Sequence, residues 1–118
     1  MTTISPVRPS PIAGSWYEAN PKTLARNVDQ YLNQAELPEM PGEVIAVIAP
    51  HAGYKCSGPV AGYAFAAVRG RTFDLVAVLS PMHQPYSESL LTTAHEAYFT
   101  PLGEIPVDKD AIADLDAR

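Results

Sequence analysis

The sequence predicts an α/β domain with a mainly parallel sheet, and three observations carry that expectation. Residues 44–49, Val-Ile-Ala-Val-Ile-Ala, are an unbroken apolar run rich in β-branched side chains. Without polar alternation, such a run reads as a strand buried on both faces, as inside a parallel sheet. Residues 74–80, Asp-Leu-Val-Ala-Val-Leu-Ser, repeat the pattern. Between them Pro59, Val60, Ala61, Tyr63, Ala64, Phe65, Ala66 and Val68 read as a helix closing at Gly70. Strand, helix and strand at this spacing are a βαβ unit, whose crossover is right-handed.

The elements follow in chain order. Residues 1–21 hold Pro6, Pro9, Pro11 and Pro21, so this arm is expected to run extended. Its aromatic pair, Trp16 and Tyr17, needs a surface to pack on. Asn20 is a good N-cap and Pro21 a good first helical residue. Leu24, Val28, Tyr31, Leu32 and Ala35 then recur at helical spacing, which predicts an amphipathic helix over 21–35, stopped by Pro38 and Pro41. Ser57 is the expected cap of the second helix. Beyond the βαβ unit, residues 89–94 read as a third strand, 100–103 as a turn and 105–107 as an edge strand. Asp108 then caps a last helix holding Ala111, Ile112 and Leu115.

Size and charge narrow the function classes. A chain of 118 residues holds one modest core. The net charge of −5, with eight scattered Lys and Arg, argues against a nucleic-acid partner. No apolar run approaches the ~20 residues of a membrane span, and the N-terminus lacks the pattern of a secretory signal. A single cysteine, Cys56, fits a reducing cytoplasm. Twelve prolines are twice the usual ~5% and speak against a helical bundle.

His51 follows the first predicted strand by two residues and His83 the second by three. Parallel strands place both at the same carboxyl edge of the sheet, where open α/β sheets take their ligands. Two imidazoles there can converge on iron, zinc or copper; the plainer reading of either is a solvated loop histidine. The sequence supplies no obvious third ligand, and His95 reads as a surface residue. Cys56 is either a thiolate near a helix start or a small buried hydrophobe. Gly53, Ser57 and Gly58 match no phosphate-loop pattern, although free amides at the helix start suit an anion.

Five stretches taken together resemble one family. These are Ala13-Gly14-Ser15-Trp16-Tyr17, Ala49-Pro50-His51-Ala52-Gly53-Tyr54, Ser57-Gly58, Pro81-x-His83 and Tyr98-x-Thr100-Pro101-Leu102-Gly103. In that order and spacing they are similar to the MEMO family, whose bacterial and archaeal members are called AmmeMemoRadiSam system protein B. The resemblance implies a fold like that of class III extradiol dioxygenases, with residues 1–118 an incomplete N-terminal portion of a longer domain. It implies that His51 and His83 are two ligands of a divalent metal, that Trp16, Tyr17 and Tyr54 line the cleft, and that a third ligand, a cysteine, lies past position 118. Animal members of the family are described as adaptors that take phosphotyrosine segments, and some as copper or iron binders with redox activity. The full-length form would then be a metal-dependent oxidoreductase, and this stretch alone inactive.

The chain departs from the family where Ser80-Pro81-Met82-His83-Gln84 replaces the usual Gly-Pro-Ser-His-His. Two other readings stand beside the metal site: a non-catalytic module holding a small molecule, peptide or anion in the cleft, and a remnant with no function of its own. Three candidate helices are few to cover two strands buried on both faces, which predicts self-association.

Overall fold

The computed structural model describes residues 4–118; the first three residues of the predicted arm lie outside them. Three helices and a three-stranded mixed sheet make an α/β fold. In chain order they are β1 (Val7–Arg8), α1 (Pro21–Asn33), α2 (Tyr54–Ala66), β2 (Ala97–Thr100), β3 (Gly103–Pro106) and α3 (Lys109–Asp116). The chain divides into two compact units. One comprises Ser10–Arg71 with Thr100–Gly103; the other comprises the chain up to Pro9, Thr72–Phe99 and Glu104–Arg118.

The first unit is built on the crossing of α1 and α2. α1 begins as the capping residues dictate: the Asn20 side chain accepts from the Thr23 amide at 3.0 Å, and Pro21 opens the helix. Leu24, only 3% exposed, is the one buried large apolar side chain among the described residues. Opposite α1 stand the buried Gly58 and Gly62 of α2. A Cβ on Gly62 would lie 2.5 Å from the Tyr31 carbonyl oxygen, and one on Gly58 2.6 Å from the Tyr31 ring. At Gly62 the helices therefore meet backbone to backbone, where a larger residue would push them apart, and Gly58 makes room for the Tyr31 ring. Arg69 donates to the Asn33 side chain at 2.6 Å, and Arg71 bonds the Val44 carbonyl and Glu43. These bonds tie the segment after α2 to the end of α1 and to residues 43–44.

α2 starts earlier than Ser57. Gly53 is its N-cap, and the amides of Cys56 and Ser57 bond the Gly53 carbonyl. Ser57 sits inside the helix, where its hydroxyl donates back to the Ala52 carbonyl at 2.9 Å. Pro59 lies within the helix.

β1 pairs in parallel with the part of β2 that lies in the second unit, Val7 opposite Ala97 and Arg8 opposite Tyr98. β2 and β3 are neighbours joined through Pro101-Leu102, and a two-residue connection requires an antiparallel hairpin. Gly103, at φ 134°, makes the bend. Asp108 caps α3 by accepting from the Ala111 amide at 2.9 Å, as expected.

The strands lie elsewhere than the sequence predicts. Residues 44–49 and 74–80 belong to no strand, and neither does 89–94. Ile45 is 92% and Ile48 97% exposed, and every residue of 74–80 is exposed. An apolar run becomes a strand only where a neighbour takes up its amides and carbonyls, and no backbone bond among the described residues supplies one here. β2 was unforeseen, and β3 runs Gly103–Pro106 rather than 105–107.

Candidate functional site

The arm supplies one wall of a recess in the first unit. Residues 12–17 form tight turns: the amides of Ser15 and Trp16 bond the Ile12 carbonyl, and the Gly14 amide bonds the Tyr17 carbonyl at 2.7 Å. Gly14, at φ 87°, permits that geometry. The arm is fastened to α2 by the Tyr54 amide, which donates to the Trp16 carbonyl at 2.8 Å. Gly53 makes this approach possible, since a Cβ there would stand 3.3 Å from that same oxygen. The Tyr17 hydroxyl meets that of Ser10.

The recess has a volume of about 180 Å³. Trp16, Tyr17, Tyr31 and Tyr54 supply its aromatic lining, while Glu18, Asn27 and Lys55 add polar groups. The Tyr17 and Tyr54 rings lie 5.5 Å apart and tilted; Tyr31 meets Tyr54 edge-on at 6.2 Å, the arrangement aromatic quadrupoles favour. The Tyr31 hydroxyl donates to the Tyr54 carbonyl at 3.3 Å. Burial raises the Tyr54 pKa above its ordinary value of 10.0, and Tyr17 and Tyr31 raise it further, because an apolar setting disfavours the phenolate.

Trp16, Tyr17 and Tyr54, expected to line a cleft, are thus brought together. Tyr31 joins them unannounced by any motif; the available signal was its place on the inner face of α1. His51 is exposed, two residues ahead of the Gly53 cap. His83 is exposed in an irregular segment of the second unit. No group of three or more His, Cys, Asp or Glu side chains suited to a metal forms among the described residues. Cys56 is exposed, which removes the buried-hydrophobe reading.

His95, expected on the surface, is half-buried. Its Nδ1 lies 2.7 Å from the Ser5 carbonyl oxygen, and its ring meets Tyr98 edge-on. Arg8 stacks on the Tyr98 ring and reaches its hydroxyl. Hydrogen bonding to Thr93, more than Arg8, lowers the Tyr98 pKa.

Comparison with known proteins decides the family. The family model described as Memo-like protein matches residues 8–118. The chain belongs to the Memo family. It is 38% identical over 105 residues to the protein memo-1 homolog of Caenorhabditis elegans, which covers 89% of this chain and 29% of that protein. Against Protein MEMO1 of Danio rerio it is 38% identical over 104 residues, 87% of this chain and 34% of the relative. A MEMO1 family protein of Methanopyrus kandleri is 33% identical over 107 residues, 84% and 38% of the two chains. This Memo-family chain therefore spans about a third of the length of the curated relatives it matches. None of its helices is long and apolar enough to cross a membrane among the described residues.

Proposed function

We propose that this chain carries two imidazole ligands, His51 and His83, of a partial non-haem metal site, serving metal-dependent redox chemistry in a full-length Memo protein. The family match across 8–118 carries the reading, because both histidines stand within motifs through which the sequence resembles that family. In the full-length protein, given partners for their amides and carbonyls, 44–49 and 74–80 would pair as the strands of a parallel βαβ unit like that of the class III extradiol dioxygenases. Iron, copper or zinc suits imidazole and would supply a Lewis-acid or redox centre. Neutral imidazoles without a charged third ligand hold such an ion weakly, copper(II) best among the common divalent ions.

The test is calorimetric titration with Cu²⁺ of the wild type and three variants. His51→Ala and His83→Ala are each expected to remove most of the binding, and His95→Ala to leave it. Binding should fade on acidification, because a protonated imidazole is lost as a ligand. Unchanged affinity in His83→Ala would refute the paired site.

A second reading rests on the recess. Its aromatic walls and Lys55 suit a small molecule or peptide side chain held without chemistry, and such binding would survive EDTA. Self-association accompanies either reading, because the apolar segments 44–49 and 74–80 offer surface that water disfavours.

A further inference from the structure

We propose that Tyr31 is the positioning residue of the aromatic recess, setting from α1 the place of Tyr54 and, through it, of Trp16. The inference rests on reading that recess as a ligand-holding part of the cleft. Tyr31 stands outside every motif that marks the family, so nothing in the sequence resemblance assigns it a role. Three independent contacts give it one.

Its ring edge occupies the place of the missing Gly58 side chain, 2.6 Å from where a Cβ would stand. That fixes the ring against the second turn of α2 and leaves it little room to turn. Its hydroxyl donates to the Tyr54 carbonyl at 3.3 Å, and its edge faces the Tyr54 ring at 6.2 Å. Tyr54 in turn holds the arm, through its amide on the Trp16 carbonyl at 2.8 Å. The order of contacts is α1, Tyr31, Tyr54, Trp16. Of the recess residues, Tyr31 and Asn27 come from α1, and the Tyr31 ring touches both Gly58 of α2 and the Tyr54 ring. Moving that hydroxyl moves the backbone turn on which the arm is hung.

Trp16 is the only tryptophan in the chain, so its fluorescence reads the recess without any ligand. The experiment is acrylamide quenching of Trp16 in the full chain, beside far-UV circular dichroism. Tyr31→Phe keeps the ring and removes the hydroxyl; losing this one hydrogen bond should raise the quenching constant about twofold with the helical signal intact. Gly58→Ala keeps the hydroxyl and displaces the ring, and should raise quenching likewise. Tyr63→Phe, on an exposed part of α2 away from the recess, should match the wild type. Wild-type quenching in both Tyr31→Phe and Gly58→Ala, or an equal rise in Tyr63→Phe, overturns the proposal. Should Tyr31→Phe lose helix, Gly58→Ala decides alone: a quenching rise in a folded protein upholds the role, and wild-type quenching ends it. A Cu²⁺ isotherm on the same proteins separates the two ideas. Failure of the wild type to bind copper defeats the metal reading and leaves the quenching comparison standing.

Discussion

Gly62 meets the backbone of α1 where nothing can yield. Alanine is favoured over glycine inside a helix by roughly 1 kcal/mol, so on local grounds Gly62→Ala would stabilise α2. The added methyl, however, would stand 2.5 Å from the Tyr31 carbonyl oxygen, and a helix backbone does not swing aside as a side chain does. Overpacking of this kind costs about 1–3 kcal/mol, which outweighs the propensity gain. We expect a net loss of stability in urea denaturation; a gain would show that the helices separate freely. The two perturbed tyrosines make opposite demands on pH. Tyr54 is held above its ordinary pKa, so its contribution is complete below pH 10 and is lost as pH rises through the folded value. Tyr98 is held below its ordinary value; its contribution is present above pH 10 and is lost as pH falls through the folded value. Absorbance titration at the phenolate band should show a late tyrosine that Tyr54→Phe removes and an early one that Tyr98→Phe removes.

The turn of the β2–β3 hairpin rests on Thr100 and Gly103. Thr100 Oγ1 donates to the Gly103 carbonyl at 2.8 Å and accepts from the Leu102 amide at 3.1 Å, while Gly103 takes φ 134°. An L side chain resists that backbone, so Gly103→Ala should cost about 1–2 kcal/mol and lower the thermal midpoint; no shift would mean that the turn relaxes to another form. Among the elements, α1 and α3 were legible because Asn20 and Asp108 announce themselves by chemistry local to one turn. α2 was legible in kind and displaced in start, since its first turn is satisfied by Gly53 and by the Trp16 carbonyl, contacts that no local pattern encodes. The strands were the least legible. Apolar runs at 44–49 and 74–80 state an appetite for burial, and pairing depends on partners distant in sequence. Ala97–Thr100, with Tyr98 and Phe99, is an ordinary strand composition masked by the turn that follows. Of the candidate site, Trp16, Tyr17 and Tyr54 were legible through motifs, whereas Tyr31 depended on how closely two glycines let the helices cross.

Across the whole molecule, apolar surface is the dominant unsatisfied term. Val78 and Leu79 are 84% and 88% exposed, and the isoleucines of 44–49 are exposed as well. Each such side chain, once buried, contributes about 1.5–3 kcal/mol, so a handful suffices to drive association. At high micromolar concentration we expect sedimentation equilibrium to give a mass above 12.7 kDa, and Ile48→Lys with Val78→Lys to restore the monomer. A clean monomer in the unaltered chain would count against it.

Pro59 within α2 has a kinetic consequence. It leaves the Lys55 carbonyl without its i+4 amide, and with Gly58 and Gly62 beside it the segment is a poor nucleator, for which a first helical turn is already uphill. α1 carries no such handicap and has its cap built in. We expect α2 to coil after α1, and the recess to come into being at that docking step. The glycines that delay the helix are the same ones that let it seat.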